Sequence, residues 1–141
     1  MTINFDMDGT IADLYGVDGW LNYLMDKDAT PYKVAKPMVN LSRLARYLNR
    51  LQKDGYKIAI VSWLSKTSTE DFDKAVTEAK MKWLAKHLPS VHFDEINIVA
   101  YGTPKHEISK GILFDDEKPN RDNWGYGAYE PSEIFEILKA L

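Results

Sequence analysis

The segment "TINFDMDGTIAD" (residues 2–13) joins a short apolar run to two aspartates that are one residue apart. Residues 2–5 are β-branched or aromatic at most positions, which is typical of a buried strand. Asp6 and Asp8 come where this strand is predicted to end, and Gly9 permits a tight turn directly after them. Residues two apart on an extended segment point the same way, so both carboxylates can face one ligand.

Further strands are predicted along the chain from apolar runs that alternate poorly between apolar and polar residues, as strands buried on both faces do. These runs are "KIAIVS" (57–62), "INIVA" (96–100) and "GILF" (111–114).

Amphipathic helices are predicted between and after these strands. One covers the leucine repeat 41–51, with Asn40 as its N-cap; a second runs from about 69 to 88; a third follows Pro131. This alternation predicts an α/β fold, a three-layer Rossmann-like domain with a mainly parallel sheet.

Residues 14–38 do not fit the alternation, and we interpret them as a small cap insertion over the carboxyl edge of the sheet. They hold one short helical pattern (Trp20, Leu21, Leu24, Met25) and a loop flanked by prolines. Residues 115–129 have the most loop-like composition. The length of 141 residues predicts a single domain over 1–141.

Composition narrows the classes of function. The formal net charge is -3 and the basic residues are dispersed, which makes nucleic acid an unlikely partner. The absence of cysteine excludes disulfides, thiolate chemistry and cysteine-ligated zinc. Neither a signal peptide nor a membrane span is predicted, so we expect a cytoplasmic protein.

Polar residues follow every predicted strand. Ligands of open α/β sheets bind beyond the carboxyl ends of the strands. Those ends carry Asp6 and Asp8; Ser62 and Trp63; Lys105; and Asp115 with Asp116. Carboxylate oxygens without histidine or cysteine suit Mg²⁺ together with a substrate phosphate. A carboxylate can also attack phosphorus, while lysine and serine donors neutralise the phosphoryl oxygens.

The order Asp-x-Asp, Ser, Lys, Asp-Asp resembles the four motifs of the haloacid-dehalogenase (HAD) superfamily of phosphatases. "FDMDGTIAD" is similar to the first motif, "IAIVS" to the second, Lys105 to the third and "ILFDD" to the fourth. The resemblance implies an aspartyl-phosphate mechanism with Asp6 as nucleophile and Asp8 as general acid and base.

The same resemblance implies the ligands of the site. Mg²⁺ would be held by the Asp6 side chain, the Asp8 backbone carbonyl and Asp116, with Asp115 as a second or water-mediated ligand. The phosphate would be bound by Ser62, the Trp63 backbone N–H and Lys105. Substrate contacts are predicted for Gly9, Thr10, Trp20 and Lys66.

Residues 70–122 are most similar to the 5'(3')-deoxyribonucleotidase (5'-nucleotidase type C) family, which implies a nucleoside monophosphate as substrate. The chain departs from that family at Thr10, at "SWL" (62–64) and in its shorter insertion. Two alternatives stay open. One is a phosphatase of another small phosphomonoester or of nucleic-acid 3'-phosphate ends, and the other is a non-catalytic phosphate-binding module.

Overall fold

The computed structural model describes residues 1–141 and contains seven strands. The strands are β1 (Thr2–Phe5), β2 (Ala12–Asp13), β3 (Lys36–Pro37), β4 (Lys57–Trp63), β5 (Glu95–Val99), β6 (Ile112–Phe114) and β7 (Ala128–Tyr129). Five of them form one sheet in the order β5-β4-β1-β6-β7, and every neighbouring pair is parallel. Short strands β2 and β3 pair separately as an antiparallel ribbon.

Seven α-helices accompany the strands, and the parallel sheet and helices together confirm the predicted α/β Rossmann-like class. A 3₁₀ turn, Pro131–Glu133, precedes the last helix. No helix is both long and apolar enough to cross a lipid bilayer. The helices are α1 (Trp20–Met25), α2 (Thr30–Val34), α3 (Leu41–Lys53), α4 (Glu70–His87), α5 (Lys105–Ile108), α6 (Lys118–Trp124) and α7 (Ile134–Ala140).

The two long helices begin at the capping residues that the sequence indicates. The Asn40 side chain accepts a hydrogen bond from the Arg43 backbone N–H at the start of α3. The Thr69 hydroxyl does the same for Phe72 at the start of α4. Each cap satisfies a backbone N–H that has no partner within its helix, which fixes where the helix starts.

Two expectations about the edges of the sheet were wrong. β5 is an edge strand whose side chains are at least partly exposed, so it is not buried on both faces. Residues 115–129 are not mainly loop, since they contain α6 and the opposite edge strand β7. The helix α6 has no apolar repeat to reveal it: Pro119 lies in its first turn and Gly125 follows its last residue.

Two hydrophobic clusters stabilise the fold. The main core contains 19 buried residues from β1, α3, β4, α4, β6, α7 and adjacent segments. The cap cluster packs residues 14–38 against one face of α4. A loop was expected around Pro31, but this segment forms the helix α2. The members of the cap cluster are Leu14, Leu24, Ala29, Tyr32, Phe72, Val76 and Ala79.

Candidate active site

The predicted polar residues converge at the carboxyl edge of the sheet because the three central strands end there. Asp6 follows β1, which lies between β4 and β6. Ser62 is the penultimate residue of β4, and Asp115 follows β6. Lys105 is the first residue of α5, beyond the end of β5.

Lys105 links two of the aspartates. Its Nζ lies 2.9 Å from Asp6 Oδ1 and 2.7 Å from Asp115 Oδ2, and the side chain is buried. Burial alone would lower the pKa of Lys105, but Asp6 and Asp115 outweigh that effect and raise the pKa above its ordinary value. The ammonium group therefore stays charged beside Asp6.

Three carboxylates crowd this edge. One oxygen from each of Asp6, Asp115 and Asp116 lies within 4.8 Å of the others. Burial, followed by the charge of Asp6, raises the pKa of Asp115 to about 6. Burial, followed by a hydrogen bond with Asp6 and the charge of Asp6, raises the pKa of Asp116 to about 8. Both pKa values are thus raised first by burial and then by repulsion from the neighbouring carboxylates.

Asp115 and Asp116 differ in how many of their oxygens are free. Asp115 Oδ2 accepts hydrogen bonds from Lys105 and Asn120, and Asp115 Oδ1 accepts from the Glu117 backbone N–H. Asp115 is fully buried, whereas Asp116 is partly exposed. Asp116 is thus the better-placed oxygen donor of this pair. A cluster of oxygen donors without nitrogen or sulfur fits a hard divalent cation such as Mg²⁺.

Asp8 lies beside Asp6 but has a different partner. Its Oδ2 is 3.0 Å from the Nζ of Lys80, and 16% of its side chain is exposed. Burial, helped by the charge of Asp6 and opposed by Lys80, raises the pKa of Asp8 above its ordinary value. A carboxyl group with a raised pKa can carry a proton closer to neutral pH, as a general acid requires.

Lys80 is the site residue that sequence reasoning missed. It belongs to α4 and is 1% exposed, with its ammonium group at the carboxyl end of β4. Its position gave a signal, because Lys80 falls between Val76 and Trp83 at helical spacing on the buried face. A lysine on an otherwise apolar face is rarely buried without a charged partner.

Gly9 and Thr10 do not line the cavity above the site, so the structure gives no support to their predicted substrate contacts. Thr10 is fully buried, with its hydroxyl 3.0 Å from Asp6 Oδ2 and 3.3 Å from Asp116 Oδ1. The hydroxyl also accepts a hydrogen bond from the Asp116 backbone N–H. The Thr10 hydroxyl thus links the carboxylates of Asp6 and Asp116.

A cavity of about 320 Å³ opens above Asp6 and Asp8. Trp20, Lys66, Trp63 and Lys105 lie on its wall, and ten of its 18 lining residues are hydrophobic. Ser62 is not on this wall. It is fully buried, and its Oγ accepts a hydrogen bond from Lys80.

Aromatic side chains form two pairs around the cavity. Tyr15 and Trp20 meet edge to face at a centroid distance of 5.0 Å, and Trp63 and Tyr101 lie at the same distance. Trp63 is fixed by a hydrogen bond from its Nε1 to the Thr103 carbonyl. The cavity thus combines an acidic floor with aromatic walls.

No protein-family model matches the chain, and no curated protein matches it. Solved structures do share its fold. A chain of the Pnkp1/Rnl/Hen1 complex aligns over 92% of this chain with a TM-score of 0.58 and 19% identity, and the alignment covers 44% of that longer chain.

Two heptose phosphatases also have the same fold. The D,D-heptose 1,7-bisphosphate phosphatase from B. bronchiseptica, solved with magnesium and phosphate, aligns over 92% of this chain and 78% of its own, with a TM-score of 0.56 and 14% identity. The enzyme of the same name from Burkholderia thailandensis aligns over 89% and 72%, with a TM-score of 0.54 and 15% identity. Likeness at these identities establishes a shared fold.

Proposed function

We propose that the chain is a Mg²⁺-dependent phosphomonoester hydrolase of the HAD superfamily that works through an aspartyl-phosphate intermediate. The observation that carries the proposal is the environment of Asp6, which lies on the cavity floor with Lys105 on Oδ1 and Thr10 on Oδ2. Asp8, with its raised pKa, faces the same cavity. A phosphatase of the same fold, solved with magnesium and phosphate, supports this chemistry.

The proposed reaction has two steps. A carboxylate oxygen of Asp6 forms a bond to phosphorus while the bond from phosphorus to the leaving oxygen breaks, and Asp8 gives its proton to that oxygen. Asp8 then takes a proton from water, whose oxygen attacks the phosphorus of the aspartyl-phosphate. The bond between phosphorus and Asp6 breaks, which releases inorganic phosphate and restores the free carboxylate.

Asp6, Asp116 and the Asp8 backbone carbonyl would hold the Mg²⁺, and Asp115 would act mainly through its hydrogen bonds to the residues around it. When bound, the cation supplies positive charge to the phosphoryl oxygens and to the crowded carboxylates. The donor set and the raised pKa values of Asp115 and Asp116 fit this role.

Lys105, Ser62 and the Trp63 backbone N–H are the proposed phosphate-binding groups, as the resemblance implies. The position of Lys105 gives the most direct support, because its Nζ donates to Asp6 and both residues line the cavity. Lys66 is exposed on the same wall, where its ammonium group can contact the substrate.

Gly9→Ala is expected to weaken Mg²⁺ binding and phosphatase activity by at least about 10-fold. Gly9 has a φ of +80°, and a Cβ there would lie 2.7 Å from Asp116 Cγ, so the added methyl group would displace this carboxylate. Isothermal titration with Mg²⁺ and an activity assay measure the two effects.

Gly55→Ala is the matched control for this substitution. Gly55 also has a positive φ, +98°, but a Cβ there meets nothing within 4 Å. Both variants should lose about 1–2 kcal/mol of unfolding free energy from backbone strain. Equal Mg²⁺ affinity and activity in the two variants would contradict the proposed role of Asp116.

We further propose that the substrate is a nucleoside monophosphate whose base enters the cavity, with residues 14–38 acting as a minimal cap on a single domain. Aromatic faces stack on nucleobases, and the cavity presents Trp20, Trp63 and Tyr101. Ten of the 18 residues that line the cavity are hydrophobic, which favours a nucleobase over the polyhydroxyl leaving group of a hexose phosphate.

A phosphate-release screen tests both the proposed phosphatase activity and the proposed nucleotide substrate. With Mg²⁺, we expect release from nucleoside monophosphates at a higher kcat/KM than from hexose phosphates or 3'-phosphorylated oligonucleotides, and no release in excess EDTA. Preference for a sugar phosphate or an oligonucleotide end would overturn the nucleotide assignment alone. Failure to hydrolyse any phosphomonoester would overturn the enzymatic proposal in favour of a phosphate-binding module.

A further inference from the structure

Lys80 is a buried ammonium group at the site that the two proposed chemical steps do not use. Its Nζ donates to Ser62 Oγ at 2.7 Å and to the Trp63 carbonyl at 2.7 Å, and it lies 3.0 Å from Asp8 Oδ2. The first two contacts are hydrogen bonds and the third is an ion pair. The Lys80 ammonium group is therefore bound by protein groups even without a substrate.

The surroundings of Lys80 leave it little freedom to move. The Tyr32 ring of α2 lies with its centroid 5.3 Å from Nζ, and Tyr32 is itself buried in the cap cluster. Lys80 thus connects three parts of the molecule: the end of β4, the segment after β1, and residues 14–38.

Asp8 depends on this lysine for its position. Lys80 is the only side chain that forms a hydrogen bond or ion pair with the Asp8 carboxylate. The contact is made by Oδ2, and Asp8 also lines the cavity. Lys105 is directed instead to Asp6 and Asp115, so each lysine serves a different catalytic aspartate.

We propose that Lys80 is a positioning residue that holds Asp8 in the orientation for proton transfer to the leaving oxygen. This inference rests on the proposed phosphatase function. A buried ion pair is a costly way to join a helix to a sheet, and apolar residues of similar volume would do so as well. A role in placing Asp8 explains why a cation occupies this point.

The leaving group of the substrate provides the test. Protonation by Asp8 matters for an alkoxide leaving group but hardly for p-nitrophenolate, which leaves readily as an anion. Lys80→Met keeps a long unbranched side chain and removes the charge. We expect its kcat/KM for an alkyl phosphate such as glycerol 2-phosphate to fall about 100-fold. The value for p-nitrophenyl phosphate should fall by less than about 5-fold, since kcat/KM covers only the steps up to the phosphoenzyme.

Two controls separate positioning from a general loss of structure. Lys82→Met lies on the same helix with an exposed side chain and should leave both values unchanged. In an Asp8→Asn background, Lys80→Met should cause no further loss with the alkyl ester, because the residue it positions is already inactive.

Equal losses with both esters, or a further loss in the Asp8→Asn background, would overturn the inference and leave the phosphatase proposal intact. If Lys80→Met does not fold, Lys80→Gln, which keeps an N–H donor, should show the same selective loss to a smaller extent, and equal losses with that variant count against the inference. A parent chain that hydrolyses neither ester would overturn the proposed function and this inference together.

Discussion

Asp6→Asn is expected to reduce Mg²⁺-dependent hydrolysis of p-nitrophenyl phosphate by at least about 10³-fold while the protein stays folded. The amide has the shape of the carboxylate but lacks its nucleophilic oxygen. The amide oxygen can still accept from Lys105, and the amide NH₂ can donate to the Thr10 hydroxyl, so both contacts of the parent side chain have a replacement.

The stability of this variant is as informative as its activity. Asp6 raises the pKa values of Asp115 and Asp116, so its neutralisation removes repulsion from the crowded edge. In the absence of Mg²⁺ we therefore expect an unfolding free energy equal to or higher than that of the parent. Asp54→Asn, at the exposed end of α3, is the control and should leave activity unchanged. Parent-like turnover by Asp6→Asn would show that another group attacks phosphorus.

Lys105→Met is expected to lower the free energy of unfolding by about 3–5 kcal/mol at pH 7.5 without Mg²⁺. The substitution leaves Asp6 and Asp115 buried without the ammonium group that lies 2.9 and 2.7 Å from them. Phosphatase activity should be lost as well, because the same ammonium group is proposed to bind the phosphate. Urea unfolding measures the first effect and a phosphate-release assay the second.

The loss should depend on pH in a defined direction. Lys105 opposes the rise in the pKa of Asp115, so without Lys105 the folded-state pKa of Asp115 lies still further above the value of about 3.9 for an unfolded chain. The folded state then binds more protons than the unfolded state, so stability falls as pH rises between these values. The deficit of Lys105→Met should therefore be smaller at pH 5 than at pH 7.5.

Lys118→Met provides the comparison for this prediction. Lys118 pairs with Asp122, but both side chains are mainly exposed, at 75% and 61%. Exposed pairs contribute little because water and salt screen them. A deficit for Lys105→Met that is equally large at both pH values would mean that lost packing, not lost charge, destabilises that variant.

The strands and long helices were predictable from local sequence because their signals are local. β1 and β4 are apolar runs in the sequence. The helix α3 is a leucine repeat that begins directly after the capping residue Asn40. The elements that were missed lack such signals. α6 is short and polar, and α2 contains five residues with a proline in the first turn.

The site was predictable to the extent that parallel strands bring their carboxyl ends together. Asp6, Lys105 and Asp116 follow strands that the sequence reveals, and their proximity follows from the order of the sheet. Lys80 could not be found in this way. It reaches the site from the middle of a helix, and its role depends on which face of α4 packs over the end of β4. Thr10 illustrates a similar point, since the sequence places it next to the aspartates but cannot show that its hydroxyl contacts both Asp6 and Asp116.

The cap cluster packs separately from the main core, and this has a consequence for how the protein can diversify. The proposed catalytic carboxylates follow strands of the main core, whereas much of the cavity wall belongs to residues 14–38 and the cap cluster. Mutations that reshape the wall need not disturb the sheet, so recognition of a substrate can drift while the reaction is retained. Engineering of a new specificity would therefore begin with α1, and Lys80 and Tyr32 would be kept fixed because they join the two modules.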